Sequence, residues 1–252
     1  MISKNQIKYI QSLHSKKQRE QEQLFIIEGI KMVCEFMQSS IFEIETVFAT
    51  PHFVATQQKT LELFHGKTVE ITEEDLKKIS LQTTPNAVLA LVKQNKNTLN
   101  QRLLSEQSNL YLDDIRDPGN LGTIIRIADW FGIKQVICSP TTTELYNPKT
   151  LQASMGAVLR VNVVYELLEN ILQLVPQAPI YGAVLNGENI YTTNLKKGII
   201  VIGNEANGIS DMVLKQITQP ITIPAALNNG SESLNAANAC AIICSEFFRR
   251  NF

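Results

Sequence analysis

Short apolar runs alternate with amphipathic stretches along most of this chain. In its second half, β-rich runs at 110–113, 135–138, 161–164, 180–185, 199–202 and 221–223 are separated by stretches that read as helices at 121–131, 149–158, 166–174, near 211–216 and from Ser233 onward. Runs this short and apolar throughout predict strands buried on both faces, and so a mostly parallel α/β sheet covered by helices. Residues 1–93 carry a smaller α/β pattern. A helical N-terminal stretch through Arg19 leads to a strand broken by Gly29 and a helix over 30–37; strands at 44–49, 67–71 and 87–92 follow, with a helix between the first two and another starting near Thr72. Residues 94–108 are polar and amide-rich without a strand pattern. The expected organisation is a first domain over 1–95, a linker over 96–108 and a second domain over 109–252.

The most informative stretch runs from Tyr111 to Gly132 and reads as strand, loop, helix, stop. Asp117, Pro118 and Asn120 offer an N-cap and a pre-set first turn, and Gly132 can take the left-handed conformation that ends the helix. Leu121, Ile124, Ile125, Ile127, Ala128 and Phe131 form one apolar arc. Arg126 falls opposite, with Gly122, Thr123, Asp129 and Trp130. A lone helical arginine reads as a solvated charge, whereas a large aromatic opposite a core face marks an interface.

Composition narrows the classes. The chain has 252 residues, 44% of them hydrophobic, enough for one large core or two smaller ones. No apolar run reaches the ~18 residues needed to span a bilayer, and the N-terminus lacks a signal-peptide core, so a cytoplasmic protein that enters no membrane is expected. Cys34, Cys138, Cys240 and Cys244 form no C-x-x-C, and His14, His52 and His65 are scattered, so no metal site is expected. A net charge of −1 argues against nucleic-acid binding by bulk electrostatics. Yet Lys4, Lys8, Lys16, Lys17 and Arg19 all precede the first acidic residue, a pattern that fits a solvated helix face or a phosphate-contacting arm equally well.

Ligands of parallel sheets sit beyond the carboxyl ends of the strands. G-x-G-x-x-G, Walker A, G-x-S-x-G and H-E-x-x-H are absent. Three strand ends carry polar or glycine-rich turns instead: Leu185-Asn-Gly187, Gly203-Asn-Glu-Ala-Asn-Gly208, and 224–235. The middle turn predicts a close backbone approach and holds Glu205 at a strand mouth, where an N-cap or an ion pair would also account for it. The last helix is rich in small residues, so a neighbour must pack close along it, in the core or across a subunit contact.

Three ordered segments then resemble the motifs of one family, the SpoU branch of the SPOUT RNA 2′-O-ribose methyltransferases. They are Asp117-Pro-Gly-Asn-Leu-Gly122 with Arg126 and Phe131-Gly132, then Gly203-Asn-Glu-Ala-Asn-Gly-Ile-Ser210, then Ile223-Pro224 with Glu232-Ser-Leu-Asn235. The resemblance covers about 107–252. Phe25-Ile-Ile-Glu-Gly29 and Thr84-Pro-Asn-Ala87 more loosely resemble the small substrate-binding domain, similar to ribosomal protein L30e, that precedes it in the family. The resemblance implies a parallel α/β domain with a deep trefoil knot, a topology that general folding rules alone would reject. It implies S-adenosylmethionine bound around Leu185, Asn186, Gly187, Ile202, Gly203, Ile223 and Leu234. It further implies that Asn120, Arg126, Glu205, Ser233 and Asn235 serve catalysis, with Arg126 as phosphate clamp or base, and that a homodimer builds its site from both subunits.

The implied substrate is ribosomal RNA, the 23S molecule first; transfer RNA, base methylation and a silent RNA-binding module are the alternatives. Two departures bear on the cofactor loop: a longer segment at 225–232, and Ala236-Ala-Asn-Ala239 where the family more often has Val-Ser-Val-Ala.

Overall fold

The computed structural model describes residues 2–226 and 233–250; Glu232 of the third motif, with the rest of 227–232, lies outside the described residues. Two compact units form: the first from the described residues of Met1–Lys96 with Tyr146–Leu159, the second from those of Asn97–Leu145 and Arg160–Phe252.

In the first unit, helices α1 (Lys4–Ser12) and α2 (Lys16–Glu22) precede β1 (Leu24–Glu28), α3 (Ile30–Gln38), β2 (Ile44–Ala49), α4 (Pro51–Thr56), α5 (Gln58–Glu62), β3 (Thr68–Glu70), α6 (Glu73–Ile79) and β4 (Val88–Lys93). The sheet order is β1-β4-β2-β3, with β4 antiparallel to both neighbours and β3 parallel to β2. Side chains alternate across β1. Leu24 and Ile26 join a core with Ile10, Leu13, Ile79, Leu89 and Leu91, while Phe25 faces the other way onto Phe36, Phe42 and Tyr146, whose ring stacks on it at 4.6 Å.

Two sequence expectations change in this unit. Arg19, counted among the cations of a possible RNA arm, is buried: its guanidinium donates to the carbonyls of Leu13 and His14, both at 2.8 Å, and ties the turn between α1 and α2. Lys4, Lys8, Lys16 and Lys17 stay exposed. The helix read over 149–158 in the second-half alternation is α9 (Pro148–Ser154), which packs on β1. The Tyr146 hydroxyl anchors that segment, accepting from the N–H and donating to the carbonyl of Asn95, both at 2.9 Å.

The second unit starts with α7 (Gln101–Glu106), a helix inside the polar stretch, capped by Asn100. Then come β5 (Asn109–Leu112), α8 (Pro118–Trp130), β6 (Gln135–Cys138), β7 (Asn162–Tyr165), α10 (Leu168–Leu174), β8 (Ile180–Asn189), β9 (Ile199–Ile202), α11 (Asp211–Leu214), β10 (Gln219–Thr222) and α12 (Ala236–Arg250). Six strands lie in the order β10-β8-β9-β5-β6-β7, all parallel. Every residue of β5, β6 and β9 is buried, as expected of strands covered on both faces.

Helix α8 shows why a single helical wheel was incomplete. Leu121, Ile124, Ile125 and Ala128 are buried as the arc predicted, but so is Gly122, which the wheel set opposite the core. The helix packs on β6 and also against α12, whose Ala236, Ala237, Cys240 and Cys244 are buried; Phe131 meets Phe248 at 5.7 Å between ring centres. This supplies the close neighbour that the small residues of the last helix demanded. The exposed face of α8 narrows to Thr123, Arg126 and Trp130, the indole being 83% exposed.

Candidate active site

The loop after β5 is built by backbone groups that find side-chain partners. Asp113, the first residue beyond the strand, accepts the Ser210 N–H at 2.7 Å, so the β5 loop is tied to the loop after β9. Asp114 adopts a left-handed φ of 56°, a conformation that non-glycine residues seldom take. It is held there from two sides: its N–H donates to the Ser139 hydroxyl at 2.9 Å, and its carbonyl accepts from the Asn204 amide at 2.8 Å. Asn204 is itself buried and accepts the N–H groups of Ala206 (2.8 Å) and Asn207 (3.1 Å), which shapes the glycine-rich turn. Asp113, Ser139 and Asn204 escaped the sequence reading; an Asp-Asp pair at a strand end and an Asn inside the glycine turn were the available signals.

Asp117 caps α8 by accepting the Asn120 N–H at 2.8 Å, and a Cβ on Gly119 would stand 2.9 Å from that carboxylate oxygen. The cap sets Asn120 on the first turn with its side chain free to bridge two other segments. Its amide NH₂ donates to the Glu205 carboxylate, and its carbonyl oxygen accepts from the Asn235 amide at 2.9 Å. Asn235 in turn caps α12, accepting from Ala237 at 3.0 Å and Asn238 at 3.2 Å. That is why α12 begins at Ala236 and not at Ser233 as the sequence suggested.

The structure therefore joins Asn120, Glu205 and Asn235, one residue from each motif, in a single hydrogen-bonded chain. It does not bring Arg126 or Ser233 into it. Both are exposed, and among the described residues neither side chain makes a hydrogen bond or ion pair.

The expected cofactor residues cluster at neighbouring strand ends. β8 lies between β9 and β10, so Leu185–Gly187, Ile202–Gly203 and Ile223 share one edge of the sheet. The pairing of β8 with β10 jumps from Pro220↔Gly182 to Ile221↔Glu188, and β9 pairs only with 180–182, so residues 183–187 stand outside both ladders. Within that stretch the Leu185 carbonyl accepts the Thr222 hydroxyl at 3.0 Å. Leu185 is 72% exposed, and Leu234 is exposed as well.

The glycines answer to the chain itself. A Cβ on Gly203 would lie 2.4 Å from the Gly208 carbonyl carbon, and one on Gly187 would lie 2.5 Å from that of Ile221. The close approach predicted at Gly203 is thus an approach of its own turn, closed by paired Asn204–Gly208 backbone bonds of 2.9 Å each.

The remaining candidates stay structural. Burial raises the Cys138 thiol, and Cys240 is raised by its contact with Cys244 and by burial, so these sulfurs sit protonated in the core. Tyr111 is pushed up to about 12, first by burial and then by Asp113, and stays a phenol. Among the described residues no group of His, Cys, Asp and Glu could hold a metal ion, and no helix is long and apolar enough to cross a membrane.

Comparison with known proteins supports the same assignment. Residues 107–245 match the SpoU rRNA Methylase family and residues 4–90 match the MRM3-like substrate binding domain. The 23S rRNA (guanosine(2553)-2′-O)-methyltransferase RlmP of Bacillus subtilis is 27% identical over 246 residues, covering 96% of this chain and 95% of that protein. A TrmH-family protein from Porphyromonas gingivalis superimposes with a TM-score of 0.85 at 37% identity over 99% of both chains. An AdoMet-bound rRNA methyltransferase from Sinorhizobium meliloti gives 0.87 at 25% identity over 100% of this chain and 98% of that one. With the family's three motifs joined in one hydrogen-bonded chain and more than half of the sequence matched, this chain belongs to the SpoU rRNA methylase family.

Proposed function

We propose that this chain transfers a methyl group from S-adenosylmethionine to a ribose 2′-hydroxyl of ribosomal RNA, most simply 23S. The observation that carries this reading is the chain Asn235–Asn120–Glu205, which fixes three loops beside the strand ends while leaving the arginine of the same helix unengaged. The full-length likeness to a 23S ribose methyltransferase supports the substrate class.

The strand-end residues fit the cofactor. Exposed Leu185 and Leu234 offer apolar surface to an adenine ring, and the backbone of 183–187, outside both ladders, offers donors and acceptors to its edge and to the ribose. Asn186, Gly187, Ile202, Gly203 and Ile223 complete that cradle. When bound, the cofactor supplies a methyl group already activated on a sulfonium.

What this chain must supply is alignment and a more nucleophilic hydroxyl. Arg126 is suited to grip the phosphate beside the target ribose and to stabilise the developing alkoxide; its permanent charge favours that role over proton abstraction. Asn120, Glu205 and Asn235 position the loops, and Ser233, exposed beside Asn235, faces incoming RNA. The exposed strip of Thr123, Arg126 and Trp130 supports a homodimer in which Arg126 reaches the partner's cofactor. The trefoil knot of the family fold belongs to this reading, as do a cytoplasmic location and RNA selection by the first unit.

The test is a ribose-methylation map of total RNA from cells with and without the gene. Loss of one ribosomal ribose mark that returns with the wild-type gene, and not with Arg126→Ala, is the expected result. An unchanged map, or loss of a base methyl group, would overturn the assignment.

A further inference from the structure

A cavity of about 240 Å³ opens within the first unit, where β2 ends, where the turn into β4 begins and against α6. Its buried lining includes Thr50 and Leu76; Pro85 and Ala87 add apolar surface, and Asn86, Lys77 and His52 are exposed members. Thr50 is the unusual member. It occupies the N-cap position of α4, where a threonine hydroxyl ordinarily accepts a helix N–H, yet its side chain makes no such bond. The residue is only 3% exposed, and among the described residues its hydroxyl has no partner. The hydroxyl oxygen itself is not sealed from solvent, so it bonds water until a ligand group takes that place.

The turn into β4 is strained. The Val88 N–H donates to the Asn86 carbonyl at 2.7 Å around Ala87, whose φ is 60°, which makes a three-residue turn of the rare left-handed kind. The Thr50 N–H clamps that turn by donating to the Ala87 carbonyl at 2.9 Å, so the strained turn is tied to the residue that carries the hydroxyl.

We propose that this cavity is a binding site for one unstacked base of single-stranded RNA. The inference rests on the RNA methyltransferase reading. The volume lies below the roughly 300–1,000 Å³ of sites for whole cofactors or drug-sized ligands, which suits a single ring system. Leu76, Pro85 and Ala87 offer apolar surface to the faces of a base. The Thr50 hydroxyl and the Asn86 amide each both donate and accept, as a base edge requires. Lys77 and His52, exposed members of the lining, offer N–H donors to a flanking phosphate. Glu73, the remaining lining residue, only accepts when ionised, which favours an edge rich in N–H donors such as guanine over uracil.

The experiment titrates the full chain, methyl-labelled at Leu, Ala and Thr, with each of the four nucleoside 5′-monophosphates and follows the methyl resonances. Saturable shifts at Leu76 and Ala87 are expected, strongest with guanosine monophosphate. Thr50→Val, which keeps the volume and removes the hydroxyl, should weaken binding about five-fold or more without lowering Tm, and Thr50→Ser should restore it. Lys77→Ala should weaken binding of the nucleotide and not of guanosine. Shifts confined to the strand-end loops of the second unit, or equal affinity in Thr50→Val, would overturn the site. Methylation of total RNA by the wild-type chain, measured in parallel, separates the two readings: nucleotide binding decides the cavity whatever that assay gives, and methylation decides the activity whatever the cavity binds.

Discussion

The strand-end loops of the second unit and the β2/β4 mouth of the first handle their polar groups in opposite ways. Asp113 holds the Ser210 N–H, Asn204 holds the Asp114 carbonyl, and Asn120 joins Glu205 to Asn235, so those loops have their shape before any ligand arrives. At the mouth in the first unit, the Thr50 hydroxyl bonds to none of the described residues. A preorganised loop spends little on reorganisation when charge develops, whereas a hydroxyl that bonds no part of the fold is free to exchange water for a ligand. Changes in the first region should therefore appear as lost stability or turnover, and changes in the second as lost affinity.

Arg126 offers the sharpest test because it sits on the helix that begins at the satisfied network and yet takes no part in it. Arg126→Ala should lower single-turnover methylation by about 10²–10³-fold, as removal of one transition-state donor does, with Tm and cofactor affinity unchanged. Arg126→Lys should not rescue it, since a point charge cannot grip a phosphate in two places. A fall in Tm matching the loss of activity would make Arg126 a structural residue and blur the contrast.

Next in size comes the network itself. Asn204→Ala removes a donor and an acceptor from a buried position and leaves the Asp114 carbonyl and the Ala206 and Asn207 N–H groups to find other partners, at a cost of about 2–3 kcal/mol in denaturant unfolding. Thr50→Val should stay within about 0.5 kcal/mol of wild type, because no internal bond is lost. Equal costs at the two positions would break the comparison.

Much of this was legible in the sequence, for reasons that also mark where legibility stopped. The apolar arc of α8 and its Asp117 cap are local properties, and both are where periodicity and capping chemistry put them. Gly122 misled because a wheel assumes one core, while α8 has the sheet on one side and α12 on another. Arg19 misled because charge counting knows nothing of two carbonyls left open by a turn six residues away. The segment around α9 joined the first unit through a Phe25–Tyr146 stack that no spacing rule reports. At the site, the residue types were readable at Asn120, Glu205 and Asn235, but their mutual bonds span 85 and 115 residues. The close backbone approach read at Gly203 is that of its own turn, so Gly203→Val should lower stability along with cofactor affinity.

A smaller effect, with a pH signature, belongs to the end of α12. Glu246 is buried and bonds Arg249 at 2.7 Å and Arg250 at 2.6 Å; Arg250 continues to the carbonyls of Thr193 at 2.6 Å and Tyr191 at 2.5 Å, pinning the turn after β8. Arg249 first, and then Arg250, hold the Glu246 carboxyl down at about 2. Because its folded value lies below the ~4.3 of an unfolded glutamate, its stabilisation is complete above that value and is lost as pH falls toward 2. Glu246→Gln should cost about 1–2 kcal/mol at neutral pH. The gap from wild type should stay level between pH 6 and 8 and close below roughly pH 4. A gap that persists to pH 2 would mean packing, and not the ion pairs, carries the effect.

The smallest effects should come from the surface lysines of α1 and α2, and there the comparison turns on one buried residue. Lys4, Lys8, Lys16 and Lys17 are exposed, so replacing any one by Ala should leave stability within about 0.5 kcal/mol. If the first unit meets RNA through these helices, the salt dependence of binding should flatten by about 0.7 in log–log slope for each lysine that contacts a phosphate of a single strand. Arg19 should behave otherwise: with its guanidinium turned onto Leu13 and His14, Arg19→Ala should lower Tm and leave the salt slope of the folded protein untouched. Measuring RNA affinity at several salt concentrations for Lys17→Ala and Arg19→Ala side by side separates the two. A slope that changes with Arg19 and not with Lys17 would place the RNA on another face of the first unit.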